Sequence, residues 1–148
     1  MNITAFDLAQ RFVGVRELPG DKDNPFVMAM LTLDQGWPQH DEVPWCSAFV
    51  NFIAWMLRLP RSKSLGARSW LQVGTPVISS IATPRSDVIV VTRGANPAGP
   101  EVINAPGHVG FFAGWDNHGV AILGGNQGNS VGVAVFPAER ILGVRRLE

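Results

Sequence analysis

The chain is poor in cysteine and carries no excess of charge of either sign. A single cysteine, Cys46, excludes an internal disulfide and any zinc site built from several cysteines. The 12 basic and 12 acidic side chains cancel, and the sequence contains no basic stripe. Because binding to a phosphate backbone depends on clustered positive charge, nucleic acid is not expected as a partner.

The sequence also lacks recognisable signals for export or membrane insertion. The first residues, Met1 to Asp7, contain no basic stretch followed by an apolar run, so no signal peptide is predicted. No apolar run reaches the roughly 20 residues that cross a bilayer, so no membrane insertion is expected. The prediction is a protein synthesised in the cytoplasm, which another component would have to deliver if it acts outside.

Length and composition predict a single domain over residues 1–148. A chain of 148 residues can bury roughly two-thirds of its unfolded surface in one core. Its hydrophobic content of 46% and charged content of 16% are those of a compact globule rather than a disordered chain.

The first half of the chain has the periodicity of helices. Thr4 and Asp7 form a predicted capping box before a helix that is expected to end between Gly14 and Pro19. Asn24-Pro25 opens a second predicted helix. Two more helices are predicted at 46–57 and 67–72.

The second half changes to short β-branched and aromatic runs separated by turn-forming residues. The predicted strands cover residues 87–92, 108–113, 119–123, 131–136 and 141–145. A polar turn is predicted at 124–129, and the longest loop, 93–106, comes shortly before His108. Helices followed by an antiparallel run of strands predict an α+β fold with the helices packed on the sheet.

Cys46 begins the most apolar of the predicted helices. The segment 46–57 carries its large apolar residues at helical spacing, which indicates a buried central helix. Asp41 is a candidate N-cap and Pro44 suits a first turn, so Cys46 is expected in that turn. Free backbone N–H groups and the positive end of the helix dipole favour a thiolate there, which makes Cys46 a candidate nucleophile. The alternative is a small buried hydrophobic residue, as most free cysteines are.

A cysteine nucleophile needs a base and a group that orients the base. His108 is the candidate base, because it opens an apolar strand that would fix its ring; the alternative is a satisfied, half-buried histidine. His40 and His118 lie in polar segments typical of solvated surface. After the next strand, Asn126 or Gln127 can accept a hydrogen bond from the far ring nitrogen of His108. The alternative for that stretch is a simple polar turn.

Several segments, taken in order, resemble a known family. They are Trp45-Cys-Ser-Ala-Phe-Val-Asn, Ala67-Arg-Ser-Trp, Ser86-Asp-Val-Ile-Val-Val, Gly107-His-Val-Gly-Phe, Leu123-Gly-Gly-Asn-Gln and Gly143-Val-Arg-Arg. Together they resemble the papain-like cysteine peptidase superfamily of bacterial cell-wall hydrolases, the NlpC and CHAP families. The resemblance implies a papain-like α+β domain in which a helix presents Cys46 as nucleophile to a sheet bearing His108 as base, with Asn126 as the orienting residue.

The sequence departs from the family pattern at two places. CHAP enzymes usually carry Glu-x-Asn where this chain has Gly124-Gly125-Asn126, so an acidic helper is missing, and either Asn126 alone or Gln127 with it would orient His108. Family members often open the first strand with Gly-Asp, where this chain has Ser86-Asp87.

The resemblance implies acyl transfer on an amide of peptidoglycan, by an amidase or endopeptidase. The Cys46 thiolate would attack the carbonyl and His108 would protonate the leaving amine, with no metal or organic cofactor. A helix start and a neighbouring imidazolium would lower the thiol pKa from roughly 8.5 to about 4 to 7. The backbone N–H of Cys46 is a candidate oxyanion donor, and Trp45 and Trp70 are candidate cleft-lining residues.

The implied biology is a phage lysin or an effector toxin that acts in the periplasm or cell wall after delivery. Its partners would be the peptidoglycan peptide and an immunity or inhibitor protein. Two alternatives stay open: a catalytically silent binding or structural module on the same fold, and a zinc-dependent amidase with ligands among His40, His108, His118 and Cys46. The scatter of these four residues over unrelated segments disfavours the zinc alternative.

Overall fold

The computed structural model describes residues 2–148 and has the predicted α+β architecture. Its α-helices are α1 (Ala5–Gln10), α2 (Pro25–Leu31) and α3 (Cys46–Met56), and short 3-10 helices lie at Ala67–Gln72, Ser79–Ile81 and Ala138–Arg140. Its strands are β1 (Thr75–Val77), β2 (Asp87–Thr92), β3 (Gly107–Asp116), β4 (Gly119–Gln127), β5 (Ser130–Phe136) and β6 (Ile141–Arg146). No helix among residues 2–148 is long and apolar enough to cross a membrane.

The six strands form one antiparallel sheet in the order β1-β6-β2-β3-β4-β5. The predicted antiparallel sheet and all five predicted strands are therefore confirmed, with two differences. β1 was not predicted, because a three-residue edge strand with Pro76 in its centre has no alternation to detect. The polar turn predicted at 124–129 is wrong over its first four residues, because β4 continues to Gln127.

Each face of the sheet packs in its own hydrophobic cluster. In β2, Val88 and Val90 belong to the cluster shared with the helices, and Ile89 and Val91 to the cluster on the opposite face. Successive side chains of a strand point to opposite faces, so a strand buried on both faces is apolar throughout. Both faces of the sheet thus carry buried side chains, and the side facing α3 holds the larger core.

Helix α3 crosses the sheet over β3 and β4. Most of its first nine residues are buried, which confirms the predicted central helix. Gly125 of β4 makes the contact close: a Cβ there would lie 2.7 Å from the Trp45 ring and 2.8 Å from Cβ of Phe49. The position of Cys46 against the sheet therefore depends on the absence of a side chain at Gly125.

The start of α3 differs from the expectation. Its N-cap is Trp45, which makes no capping hydrogen bond through its side chain, and Pro44 lies before the helix. Asp41 is buried and accepts hydrogen bonds from the backbone N–H groups of Leu18 and Asn24, both at 2.8 Å. Asp41 therefore closes the loops around α2 and does not cap α3.

The two preceding helices begin where the sequence predicts. The Thr4–Asp7 capping box and the Asn24 cap with Pro25 at the first helical position are both present. Helix α1 ends at Gln10, before the predicted region, because the chain turns away through residues 11–14.

A buried arginine fixes the long loop 93–106. Arg68 has no exposed surface, and its guanidinium donates hydrogen bonds to the carbonyl oxygens of Pro106, Ala98, Gly99 and Val102 at 2.7–3.2 Å. Four carbonyl acceptors replace part of the water that the cation loses on burial, through Nε and Nη1, while Nη2 is buried without a hydrogen-bond partner. The loop that leads into β3, and hence to His108, is tied to the 3-10 helix at Ala67–Gln72.

Candidate active site

Cys46 is the first residue of α3 and is 5% exposed. Its neighbour Ser47 is held from both sides: its hydroxyl donates to the Ser64 carbonyl at 2.6 Å and accepts from Trp70 Nε1 at 2.9 Å. These buried bonds fix the first turn of the helix. The thiol is consequently held at a defined place below the surface.

Cys46, His108, Asn126 and Gln127 line one cavity of about 440 Å³. The fold brings them together because α3 lies across β3 and β4, and β3 carries His108 while the end of β4 carries the two amides. In this structure no hydrogen bond joins the Cys46 and His108 side chains. The predicted separation of about 4 Å between the sulfur and a ring nitrogen therefore stays a prediction, and catalytic contacts are often longer before substrate binds.

Gln127 is the amide that contacts the histidine. Its Oε1 lies 2.8 Å from His108 Nε2. Asn126, to which the resemblance assigned this contact, lines the cavity without a hydrogen bond to the ring. His108 is therefore hydrogen-bonded to Gln127, the alternative residue named from the sequence, and not to Asn126, as the resemblance implied.

The surroundings of Gln127 determine how its amide is oriented. Its Nε2 donates to the carbonyl oxygens of Ile122 at 3.0 Å and Gly132 at 2.7 Å. The reverse orientation would place an amide oxygen against two carbonyl oxygens, so Oε1 must face His108. An oxygen can only accept, and His108 Nε2 therefore carries a hydrogen. In the neutral ring this leaves Nδ1 unprotonated and available as a base.

A β-bulge brings Gln127 to the histidine. Gly124 pairs with Gly132 and Gln127 pairs with Ser130, so three residue steps on β4 match two on β5. The extra residue is accommodated at Asn126, whose φ of 57° is in the left-handed region that asparagine tolerates. Because side chains alternate along a regular strand, the bulge re-aims the side chain that follows it.

Gly124 keeps the space around this hydrogen bond open. A Cβ at Gly124 would lie 2.8 Å from Gln127 Oε1 and 3.4 Å from His108 Nε2. The sequence Gly124-Gly125 thus serves two contacts: Gly124 leaves room for the His108–Gln127 pair, and Gly125 leaves room for the start of α3.

The aromatic ring of Phe136 covers the other side of the histidine. The His108 and Phe136 rings stack with centroids 5.3 Å apart and an interplanar angle of 25°. The guanidinium of Arg140 lies 5.2 Å from the centroid of the Phe136 ring, and its Nη2 donates to the Thr92 carbonyl at 2.6 Å. These contacts hold the imidazole plane as well as its Nε2 end.

The acid–base state of the pair differs from the expected ion pair. Burial raises the pKa of the Cys46 thiol, and the N–H groups of Val109 and Ser47 and the charge of Arg93 act in the opposite direction without outweighing it. Burial also lowers the pKa of His108, which the hydrogen bond that His108 donates to Gln127 partly offsets. The expected lowering of the thiol pKa is therefore wrong, because desolvation outweighs the helix start. The resting pair is a neutral thiol and a neutral imidazole.

The two tryptophans expected to line the cleft lie elsewhere. Trp45 and Trp70 have no exposed surface and do not line the cavity. Their ring N–H groups are satisfied inside the protein, by Glu17 at 2.9 Å and by Ser47 at 2.9 Å. They belong to the hydrophobic core that packs against α3 and expose no surface to a substrate.

The other histidines are not part of this cavity. His40 lies 3.5 Å from Asp23 on the surface, and His118 lies in the turn between β3 and β4. Within residues 2–148, no group of three His, Cys, Asp or Glu side chains is placed to hold a metal ion. Of the four ligands named for the zinc alternative, only Cys46 and His108 line the same cavity.

Among the lining residues that were not expected from the sequence, three carry charged or aromatic side chains: Arg93, Phe136 and Arg140. Arg93 begins the long loop, and the other two come from the end of β5 and the 3-10 helix at Ala138–Arg140. Only the sheet order, with β5 beside β4, reveals that Phe136 reaches His108. The sequence offered a signal only for Arg93, which begins the loop 93–106 that comes before His108.

Structural comparison adds a statement about the fold. The structure of NlpC1 from Trichomonas vaginalis matches with a TM-score of 0.57 and 16% sequence identity, over 96% of this chain and 42% of that chain. The chain thus spans less than half the length of that protein. No family model matches the sequence, and no curated protein matches it. At this identity the likeness shows the fold alone, an NlpC-like arrangement of helices on an antiparallel sheet.

Proposed function

We propose that the chain is a cysteine-dependent peptidoglycan hydrolase that cleaves an amide bond of the cell-wall peptide. The observation that carries this proposal is the Gln127 amide, whose two carbonyl contacts make it accept from His108 Nε2. A structural module has no need of a fixed histidine tautomer beside a cysteine. A thiol hydrolase does, because the base must present an unprotonated nitrogen to the thiol.

The reaction starts from the neutral pair. His108 Nδ1 takes the proton of the Cys46 thiol as the sulfur attacks the amide carbonyl, and the imidazolium that forms is stabilised by Gln127 Oε1. The same proton then passes from Nδ1 to the leaving amine, which gives an acyl-enzyme. Water attacks this thioester with Nδ1 as base, and the carboxylic acid product and the free thiol are restored.

The neutral resting state gives the proton transfer a defined direction. A thiol in a buried, apolar setting is a weak nucleophile until its proton is removed, so attack and transfer to Nδ1 occur together. The backbone N–H of Cys46 is the proposed oxyanion donor, since it is at the free N-terminal end of α3.

The biological setting follows from the substrate class. An NlpC-like fold with this site fits an amidase or endopeptidase acting on wall peptides, as a phage lysin or as an effector toxin delivered to the periplasm of another cell. The site requires no cofactor for these steps, because base, nucleophile and oxyanion donor all come from the chain.

Digestion of purified peptidoglycan tests the proposal. The wild type should release fragments that carry one new amine and one new carboxylate, identified by mass. Cys46→Ser and His108→Ala should release none while they keep the wild-type circular dichroism spectrum and cooperative melting. Full lysis by Cys46→Ser, or cleavage of the glycan strand instead of the peptide, would contradict it.

A further inference from the structure

The cavity around Cys46 and His108 has a positive charge that the hydrolytic steps do not use. Two arginines, Arg93 and Arg140, line it, and no aspartate or glutamate is among the described residues that do so. Both cations therefore face a cavity of about 440 Å³ whose lining contains no acidic side chain to neutralise them. Cations of this kind attract an anion into the site.

Arg93 is the less constrained of the two. It is exposed, and its guanidinium makes no hydrogen bond or ion pair to any side chain or carbonyl among residues 2–148. Its charge is close enough to the reacting groups to act on both the Cys46 thiol and the His108 ring. All its donors are available to a ligand beside the scissile amide.

Arg140 is held in place by the protein. Its Nε and Nη2 donate to the hydroxyl and carbonyl of Thr92 at 3.4 and 2.6 Å, and it stacks on Phe136. Its Nη1 has no hydrogen-bond partner in the described part of the chain. A planar guanidinium held in this way is matched to a carboxylate, which accepts two parallel hydrogen bonds.

The charge changes sign on the other side of the site. Gly128 lines both the cavity and a neighbouring depression, which Glu17, Asp41 and Glu42 line together with Arg16. The acidic residues outnumber the arginine there, so a negatively charged group would be repelled. An anionic group of a ligand is therefore favoured beside Arg93 and Arg140 over the neighbouring depression.

We propose that Arg93 and Arg140 bind a carboxylate of the substrate next to the scissile amide, and that the site selects acidic over amidated wall peptides. This inference rests on the proposed function for the identity of the substrate. The binding of a carboxylate itself requires only the two arginines and the cavity.

Binding to the Cys46→Ala variant tests the inference without turnover. The ligands are a synthetic wall stem peptide with free carboxylates and the same peptide with these groups as carboxamides, titrated by calorimetry at low ionic strength. The acidic form should bind about tenfold more tightly, as expected for one charge-assisted interaction. Adding Arg93→Gln should remove most of this ratio, mainly by weakening the acidic form, and Arg140→Gln should reduce it too. The control Arg11→Gln removes an exposed arginine at the C-terminal cap of α1, which does not line the cavity, and should leave the ratio unchanged.

The outcomes separate this inference from the proposed function. If the acidic peptide binds selectively through Arg93 but the wild type cleaves no peptide, the inference stands and the hydrolase proposal fails. Equal binding of the two peptides, a ratio that survives Arg93→Gln, or no binding of either peptide at millimolar concentration would overturn the inference. Cleavage of both peptides at equal kcat/KM would overturn it as well.

Discussion

Replacement of Gln127 by leucine would test the orientation of His108, the proposed catalytic base. Leucine has nearly the same volume but removes three hydrogen bonds, two to the Ile122 and Gly132 carbonyls and one to His108 Nε2. At about 1 kcal/mol for each bond, with two carbonyl oxygens left unsatisfied, we expect a loss of about 2–4 kcal/mol in unfolding free energy. The hydrogen bond to the imidazolium contributes about 1.5–3 kcal/mol in the transition state, so kcat should fall about 10- to 100-fold.

The assay for this prediction combines kinetics with nitrogen NMR of the His108 ring. At neutral pH the wild-type ring should be neutral, with hydrogen on Nε2 and a bare Nδ1. In Gln127→Leu the two tautomers should mix, because nothing fixes the hydrogen on Nε2. Asn126→Gly is the matched control: it removes the other amide that lines the cavity, tolerates the φ of 57°, and should lower kcat much less.

Two results would refute this reasoning. A wild-type ring with hydrogen on Nδ1, or a doubly protonated ring at neutral pH, would contradict the geometry of the Gln127 amide or the neutral pair. Full activity of Gln127→Leu with a fixed Nε2–H tautomer would show that another group orients the histidine.

Further predictions concern pH, the packing of α3 and an ion pair between β2 and β6. The unfolding free energy should fall above pH about 8.5, where the Cys46 thiol ionises in the unfolded chain and stays protonated in the native one, and below pH about 6.5, where His108 is protonated first in the unfolded chain. Denaturant titrations should show that Cys46→Ser abolishes the loss at alkaline pH. The same alkaline loss in Cys46→Ser and the wild type would contradict the raised thiol pKa. Gly125→Ala should destabilise by about 1–3 kcal/mol and lower kcat/KM, because its Cβ would collide with Trp45; unchanged melting and activity would show that α3 does not pack this closely. Asp87→Asn should lower the unfolding free energy by about 3 kcal/mol in a denaturant titration, because the buried Asp87 carboxylate accepts hydrogen bonds from the Arg146 guanidinium at 2.7 and 2.8 Å. A change of less than about 0.5 kcal/mol would contradict a stabilising role for this ion pair.

The sequence was sufficient for the elements and their order because the local signals were strong. Thr4 with Asp7 and Asn24 with Pro25 mark helix starts by side-chain and backbone chemistry that acts within a few residues. The short β-branched and aromatic runs between turn-forming residues mark strands in the same local way. Asp41 shows the limit of such signals, since its hydrogen bonds reach Leu18 and Asn24 instead of the nearby helix.

The site depends on features that local patterns do not contain. Gln127 meets His108 because of a bulge at the end of β4, where composition alone indicates a turn. Phe136 and Arg140 reach the cavity through strand order. The thiol pKa depends on how deeply Cys46 is buried, and the helix start that the sequence reveals is the smaller effect.

The central claim is that the Cys46 sulfur attacks an amide carbonyl of the substrate. Rapid-quench mass spectrometry of the protein mixed with a wall stem peptide measures this directly. We predict a transient mass increase equal to the acyl part of the peptide, located on the proteolytic fragment that contains Cys46, which is absent from Cys46→Ser and lost when His108→Ala prevents attack. The claim would be contradicted if the peptide were cleaved with no adduct at any quench time and if Cys46→Ser cleaved it as fast as the wild type.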